Sequence, residues 1–153
     1  MSEKAIEVMN DQIRLDYDAV TAYEEAIEAC DSQDIKDQLT LFKGDHERHV
    51  KELSAMVRQF GGEPAERGDI KGFFIQAFTK IVSHGDRSAL MAMRGNELLT
   101  NKSYEKALEN ELPDEVKALL ERNLEDERRH LHWIEQTIQS RGYEQEEAPA
   151  PPA

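Results

Sequence analysis

Two five-residue segments, at 45–49 and 126–130, combine acids, arginine and histidine in nearly the same order. The first is Asp-His-Glu-Arg-His and the second is Asp-Glu-Arg-Arg-His. In each segment a polar residue, at position 46 or 127, lies three residues before the last histidine, so a helix would place both side chains on one face. Carboxylate and imidazole groups are suitable ligands for iron, manganese or zinc. The spacing therefore indicates a metal site, provided that the fold brings the two faces together.

The two segments belong to a longer internal repeat. A shift of 81 residues aligns positions 16–50 with 97–131 without a gap, and nine of the 35 aligned positions are identical. Ordinary composition would give about two identities. The identical pairs are Tyr23/Tyr104, Glu24/Glu105, Ala26/Ala107, Glu28/Glu109, Lys36/Lys117, Leu39/Leu120, Asp45/Asp126, Arg48/Arg129 and His49/His130. The repeat predicts two copies packed about a pseudo-twofold axis, with His49 facing His130 and Asp16 facing Glu97.

Four stretches have apolar residues at every third or fourth position, which is the period of an amphipathic helix. They predict helices over residues 3–30, 35–60, 87–109 and 113–140. The breaks within each pair are short, so each pair forms an antiparallel hairpin. Ser32 or Asp34 can cap the second helix, and Asp86 the third. The sequence thus predicts an all-α four-helix bundle of two duplicated hairpins over residues 1–142.

The connection between the hairpins is long and has an apolar segment of its own. Glycines and a proline at 61–68 end the second helix. Residues 70–82, with Phe73, Phe74 and Phe78, predict a short extra helix in this crossover. That helix either covers one end of the core or forms the interface of a homo-oligomer, for which a dimer is favoured.

Composition excludes several classes of partner. Acidic residues outnumber basic ones 32 to 19, with a net charge of −13, whereas nucleic-acid binding needs a basic face. The sequence contains no apolar run long enough for a bilayer and no signal peptide, and the single Cys30 fits a reducing compartment. We expect a cytoplasmic protein without nucleic-acid or membrane partners. Residues 143–153, rich in Glu and Pro, predict a disordered tail.

This arrangement resembles the ferritin-like superfamily of di-iron carboxylate proteins. The shared features are two hairpins with a long crossover, an acid on the first and third helices, and a residue pair ending in histidine on the second and fourth. Rubrerythrins are similar in a further respect, because their acid and tyrosine are seven residues apart, as are Asp16/Tyr23 and Glu97/Tyr104. The motifs Asp-Tyr-Asp-Ala at 16–19 and Ala-Tyr-Glu-Glu-Ala at 22–26 also resemble those of a bacterial family of ferritin-like proteins of unknown function.

The resemblance implies a ligand set and a class of cofactor. The ligands would be Asp16, His46, His49, Glu97, Glu127 and His130. They would hold one or two ions of iron, manganese or zinc, and no other cofactor is implied. Tyr23 and Tyr104 are either hydrogen-bond donors to the ligands or plain core aromatics. Two redox-active ions in such a site can activate dioxygen or peroxide, or oxidise Fe²⁺ for storage.

Two positions depart from the pattern of the superfamily. Position 46 is His where the pattern has Glu, and position 16 is Asp where it has Glu. Three carboxylates facing two divalent ions leave a net charge of +1, so the second ion should bind more weakly. A site for one ion, at Glu97, Glu127, His130 and His49, is therefore an alternative, and zinc would accept those ligands.

The sequence leaves two functions open. The first is a metal-binding protein with iron- or peroxide-linked redox chemistry, and this hypothesis does not decide whether the protein is an enzyme. The second is a non-catalytic scaffold or stress-associated oligomer that has lost a di-metal site, with Asp45/His49 and Asp126/His130 acting only as acid–base pairs within one helix. Buried acids without a metal or a partner are costly, which favours the first function.

Overall fold

The computed structural model describes residues 2–68 and 84–144, which form four helices and, within these ranges, no strand. The helices are α1 (Ser2–Ala29), α2 (Gln33–Gln59), α3 (Asp86–Ala107) and α4 (Asp114–Ser140). Each helix predicted for a hairpin is confirmed to within two residues at either end. The short helix expected at 70–82, with its phenylalanines, lies outside the described residues.

The helices pack as two antiparallel hairpins, α1 with α2 and α3 with α4, and the bundle closes chiefly where α1 lies against α3. The contact between α2 and α4 is sparser, and histidine–aspartate bonds join these two helices at mid-length. The predicted four-helix bundle of two hairpins is therefore confirmed. None of the helices in the described ranges combines the length and the hydrophobicity needed to cross a membrane.

Glycine ends α2 as the sequence predicts. Gly61 has a φ of 85°, which is strained for any residue with a Cβ. In this conformation the Gly61 N–H donates to the carbonyl of Arg58 at 2.9 Å, and the Gly62 N–H donates to that of Val57 at 2.9 Å. This pair of bonds is a Schellman motif, which satisfies the last free carbonyls of the helix and turns the chain away.

The side-chain caps expected at α2 and α3 are not formed. Ser32 is the N-cap residue of α2 but makes no capping hydrogen bond, and Gly85 occupies that position for α3. Asp86 lies in the first turn of α3 and instead accepts bonds from the backbone N–H groups of Asp31 and Ser32, at 2.8 and 3.1 Å, and from the Ser32 hydroxyl. The two predicted caps thus combine into one tie between the α1–α2 loop and the start of α3.

The buried interior consists of two apolar layers with a polar layer between them. One apolar layer contains Met9, Ile13, Leu53 and Leu120, and the other contains Leu39, Phe42, Leu90, Met93 and Ile134. The residues predicted as ligands are buried between these layers. The apolar layers supply the hydrophobic stabilisation and also exclude water from the polar layer.

Residues at the start of the predicted tail lie against α3. Arg87 donates through Nε to the carbonyl of Tyr143 at 2.8 Å, and Arg94 pairs with Glu144 at 2.8 Å. The remainder of the predicted tail, 145–153, lies outside the described residues.

Candidate metal centre

All six predicted ligand residues converge at mid-length in the bundle. The residues, each at most 1% exposed, are Asp16 on α1, His46 and His49 on α2, Glu97 on α3, and Glu127 and His130 on α4. They form two overlapping groups whose ligand atoms lie within 4.8 Å of one another. One group is Asp16, His46, His49 and Glu127, and the other is His46, Glu97, Glu127 and His130. His46 and Glu127 belong to both.

Each of the outer histidines contacts the acid of its own half of the repeat. Nδ1 of His49 lies 3.2 Å from Asp16, and Nδ1 of His130 lies 3.2 Å from Glu97. The expected face-to-face pairing of His49 with His130 is replaced by a three-ring arrangement, because His46 lies between them, with ring centroids 5.5 and 5.2 Å away. The repeat thus places equivalent residues symmetrically, but the His46 ring lies between the two outer histidines, near the pseudo-twofold axis.

The same two histidines bond outward to an acid from the opposite half. Nε2 of His49 lies 2.9 Å from Asp126, and Nε2 of His130 lies 2.7 Å from Asp45. The alternative in which each acid pairs with the histidine of its own helix is therefore wrong. An ionised carboxylate can only accept, so Nε2 of each ring bears the hydrogen, and in the neutral ring the Nδ1 lone pair faces the centre. This is how proteins orient a histidine that ligates a metal.

Two arginines complete an outer layer over these acids. Arg48 pairs with Asp45 at 3.1 Å and also with Asp126, while Arg129 pairs with Asp45 and Asp126 at 2.9 Å each. Histidine and arginine bonds lower the pKa of Asp126 to about 2, although its partial burial acts in the opposite direction. Both acids therefore stay ionised and hold the histidine rings. The signal for this layer was present in the sequence, since Asp45/Asp126 and Arg48/Arg129 are identical pairs of the repeat.

The two tyrosines cross between the halves and donate to the acids. Tyr104 donates to Asp16 at 2.5 Å, and Tyr23 donates to Glu97. Burial, and then the neighbouring carboxylates, raise the pKa of both hydroxyls well above 10, so the hydroxyls keep their protons. Both tyrosines are fully buried. The two roles that the sequence left open are therefore combined, because each tyrosine is a core aromatic and also a hydrogen-bond donor to an acid.

Three further polar residues, all from the second copy of the repeat, support the site. Thr100 donates to the Glu97 carboxylate at 3.2 Å, Asn123 donates to the Tyr104 hydroxyl at 3.3 Å, and Asn101 donates to the backbone carbonyls of Glu97 and Glu127 at 2.7 and 3.0 Å. Sequence reasoning missed both asparagines. The available signal was their position, because each lies on the buried face of its helix, four residues from a predicted ligand.

The buried charges partly balance one another. Burial raises the pKa of Asp16 and Glu97, but the neighbouring histidines outweigh it and hold both pKa values below the ordinary range. Burial lowers the pKa of His49, but Asp16 and Asp126 outweigh it and raise the value to about 9. Burial, and then the charge of Glu97, raise the pKa of Glu127 to about 7. Glu127 is thus the acid that the protein side chains satisfy least.

Glu127 is also the group that tests whether a metal fits. Its two carboxylate oxygens are buried and are the only buried side-chain N or O atoms of the described residues without a hydrogen-bond partner. They lie 3.6 Å from His46 Nε2 and 3.5 Å from His49 Nδ1, too far for a good hydrogen bond. An unpaired buried carboxylate among imidazole nitrogens is the donor arrangement that a divalent cation satisfies. The residues present therefore fit a metal ion.

Solved structures share this fold. A ferritin-like, diiron-carboxylate protein from Bacillus anthracis matches with a TM-score of 0.74 and 22% identity, over 90% of this chain and 96% of that one. The bacterioferritin of Desulfovibrio desulfuricans, whose structure shows a diiron site, matches with a TM-score of 0.72 and 21% identity, over 91% and 82%. Dps from Staphylococcus aureus matches with a TM-score of 0.73 and 12% identity, over 88% and 94%. The protein therefore has the ferritin-like four-helix bundle fold.

Sequence comparison gives a family assignment. No curated protein matches the chain. Residues 4–110, from the start of α1 to just past the end of α3, match the family described as Domain of unknown function (DUF2383). This match covers most of the sequence and includes Asp16, His46, His49 and Glu97. The chain belongs to the DUF2383 family.

Proposed function

We propose that this protein binds divalent metal ions in the core of its bundle. The ligand residues would be drawn from Asp16, His46, His49, Glu97, Glu127 and His130. The observation that supports this most directly is the Glu127 carboxylate, which is buried and has no hydrogen-bond partner. A bundle selected only for stability would gain by placing an apolar residue or a paired one at this position.

The chemistry follows from the donor set. Imidazole nitrogens and carboxylate oxygens bind iron, manganese and zinc, and a bound redox-active ion supplies electron transfer with dioxygen, peroxide or Fe²⁺ itself. The diiron-carboxylate protein of Bacillus anthracis and the diiron bacterioferritin have the same fold and support iron as the ion to test first. We therefore extend the proposal to iron- or peroxide-linked redox chemistry.

The surrounding residues would serve this chemistry by holding the ligands and the protons. Asp45 and Asp126 orient the two outer histidines, and Tyr23 and Tyr104 hold hydroxyl protons next to Glu97 and Asp16. The two apolar layers exclude water, which strengthens every electrostatic contact between them. These features need no movement of the helices.

Metal analysis tests the proposal. We expect the protein, purified without chelator or reconstituted anaerobically with Fe²⁺, Mn²⁺ or Zn²⁺ and then desalted, to retain stoichiometric metal by mass spectrometry. Glu127→Ala and His130→Ala should lose it, whereas His132→Ala, on an exposed residue of the same helix, should retain it. Retention of less than roughly a tenth of an equivalent by the reconstituted wild type would disprove metal binding.

A second candidate function is supported by a different observation. Asp16 and Glu97 already have bonds to histidine and tyrosine, so much of the polar layer is satisfied without any metal. A non-catalytic scaffold that has lost its di-metal site would show this feature. It predicts equal thermal stability with and without added metal, whereas a bound metal raises the melting temperature by mass action.

A further inference from the structure

We propose that the centre holds one divalent cation, on His46 Nε2, Glu97, Glu127 and His130 Nδ1, and that Asp16 orients His46 without ligating the metal. This inference rests on the proposed metal binding and specifies its stoichiometry and ligands. It differs from the ligand set expected from the sequence, in which Asp16 and His49 are also ligands.

The first step is the orientation of the His46 ring. Its Nδ1 lies 2.6 Å from Asp16, the shortest contact between a histidine and an acid in the described residues. The ionised carboxylate accepts from Nδ1–H, so in the neutral ring the lone pair is on Nε2. Nε2 points to the other half of the site, 3.3 Å from Glu97 and 3.6 Å from Glu127. One nitrogen of His46 is therefore used by Asp16, and the other is available to a metal beside Glu97.

The second step is the way in which Asp16 is used. Glu97 has as many partners, but its histidine contacts are to His46 Nε2 and His130 Nδ1, the two nitrogens proposed for the metal. Asp16 differs, because its closest histidine contact is to the other nitrogen of His46, Nδ1.

The two oxygens of Asp16 accept from Tyr104 at 2.5 Å and His46 at 2.6 Å, and Nδ1 of His49 lies 3.2 Å away. A carboxylate that ligates a metal would have to give up the His46 bond. Without that bond, Asp16 would no longer hold the hydrogen of His46 on Nδ1 and leave Nε2 free for the metal. Asp16 therefore matches the role of a carboxylate behind a metal-ligating histidine.

The third step is the asymmetric support of the two halves. Thr100 fixes the Glu97 carboxylate, and Asn101 joins the backbone of Glu97 to that of Glu127. The positions equivalent to Thr100 and Asn101 are Ala19 and Val20, whose side chains have no polar atom. Three of the four proposed ligands lie on the supported half, where hydrogen bonds hold the Glu97 carboxylate and the Glu127 backbone before a metal arrives.

Charge points to the same stoichiometry. One divalent cation facing the three buried acids leaves a charge of −1, which the hydrogens of Tyr104 and His46 at Asp16 stabilise, whereas two cations leave a charge of +1 in an apolar interior. Two nitrogens and two carboxylate oxygens are a set that Zn²⁺ accepts in tetrahedral geometry, and Fe²⁺ and Mn²⁺ also bind such ligands.

Matched variants test the proposal, because the repeat pairs two of the proposed ligands, Glu97 and His130, with equivalent residues, Asp16 and His49, that are not ligands. We would titrate metal-free full-length protein with Zn²⁺ by calorimetry, and with Co²⁺ by visible absorption. Wild type should bind one equivalent. Glu97→Gln and His130→Gln should each weaken binding more than about 100-fold, whereas their counterparts Asp16→Asn and His49→Gln should keep one equivalent.

The role of Asp16 has its own signature. Asn retains an oxygen that accepts from His46 Nδ1, so Asp16→Asn should keep the Co²⁺ spectrum of the wild type with affinity lowered about tenfold. Asp16→Ala removes the acceptor and should change the spectrum and lower the affinity further. Equal effects of Asp16→Asn and Glu97→Gln on metal binding, in variants with wild-type helicity, would contradict the inference.

The reverse change at position 46 should create the second site. In His46→Glu a fourth carboxylate replaces the shared imidazole and frees Asp16, so this variant should bind two equivalents of Zn²⁺ where wild type binds one. Two equivalents in the wild type would overturn this inference and leave metal binding itself intact. A wild type that binds no Zn²⁺, Fe²⁺ or Mn²⁺ would instead overturn the proposed function.

Discussion

The two halves of the repeat, residues 16–50 and 97–131, form the same frame of supporting contacts but place different residues at the centre of the site. The identical pairs include the tyrosines, the outer histidines, the aspartates behind them and the covering arginines, and each of these four makes the equivalent contact in both halves. The frame depends on these contacts across the axis. Both halves must retain the residues that form them.

The positions that differ are those that set the chemistry. Glu127 corresponds to His46, and Thr100 and Asn101 correspond to Ala19 and Val20. The first half therefore contributes a histidine and little polar support. The second contributes the Glu127 carboxylate, together with hydrogen bonds to the Glu97 carboxylate and to the Glu127 backbone. The supporting contacts are therefore symmetric, whereas the site at the centre is asymmetric. Measurements on matched pairs of variants can separate the contribution of the supporting contacts from that of the central residues.

Aromatic packing shows the same asymmetry at a third position. Phe42 in the first half packs on the His130 ring, with centroids 4.3 Å apart, and lies near Tyr23. Its counterpart is Asn123, which donates to Tyr104. The half of the site that contains Glu97 and His130 is thus closed by an aromatic ring, and the half that contains Asp16 by an amide.

Outside the ligands themselves, the largest difference between matched variants is expected at the aspartates behind the outer histidines. Asp45→Asn loosens His130, a proposed ligand, and should lower Zn²⁺ affinity about 10–100-fold. Asp126→Asn loosens His49, which is outside the proposed ligand set, and should change the affinity less than about threefold. Calorimetric titration of both variants measures the contrast.

Thermal unfolding of the metal-free variants provides the control. Because the two aspartates make equivalent bonds, the two substitutions should lower the stability by similar amounts. Equal losses of Zn²⁺ affinity would contradict the one-ion site and support a symmetric site for two ions.

Glu127 should limit the stability of the metal-free protein above neutral pH. Its pKa rises from 4.5 in the unfolded chain to about 7 on folding, mainly through burial. The folded state therefore binds this proton more tightly, and the resulting stabilisation is present below pH 4.5 and lost as the pH rises through about 7. Glu127→Gln stays neutral, so at pH 8 it should be more stable than wild type by roughly 1–3 kcal/mol, measured by urea unfolding with chelator present.

The matched comparison is His46→Gln, which removes a group with hydrogen bonds to Asp16 and Glu97 and should destabilise the metal-free protein. A Glu127→Gln variant that is less stable than wild type at pH 8 would show that Glu127 has a structural role without metal.

The tyrosines should differ by a smaller amount. Tyr104→Phe removes a donor to Asp16 and also leaves the buried Asn123 amide without its acceptor, so we expect a loss of about 2–3 kcal/mol. Tyr23→Phe removes one donor to Glu97, which retains Thr100 and two histidines, and should cost about 1 kcal/mol. Urea unfolding of metal-free protein at pH 7 measures both.

An additional Asn123→Val change should rescue part of the Tyr104→Phe loss and leave Tyr23→Phe unaffected. A rescue of both variants, or of neither, would show that the amide does not distinguish the halves.

The sequence was sufficient to predict the bundle because its signals are local and repeated. Helical periodicity located α1 to α4, and the ungapped repeat required equivalent positions to converge. All six candidate ligands are accordingly brought together. The convergence was predictable because buried polar residues on helix faces must satisfy one another.

The partners of these residues were less predictable, because they depend on which helix lies opposite. The sequence offered the pairing of Asp45 with His49, four residues apart, as one alternative, whereas the folded protein pairs Asp45 with His130 across the axis. Likewise Asp86 could cap its own helix but instead bonds the α1–α2 loop. In both cases a contact between distant segments replaces a local one of similar strength, and periodicity contains no information about that choice.

The smallest effect is expected at the covering arginines, where the two halves should behave alike. Arg48 and Arg129 are about half exposed, and each bridges Asp45 and Asp126, so solvent screens their ion pairs. Arg48→Ala and Arg129→Ala should each cost roughly 0.2–1 kcal/mol in urea unfolding, and the cost should shrink in 1 M salt. Zn²⁺ affinity should stay near that of wild type in both, because the aspartates still hold the histidine rings. If one arginine alone weakened Zn²⁺ binding, the asymmetry of the site would extend to its outer layer of arginines.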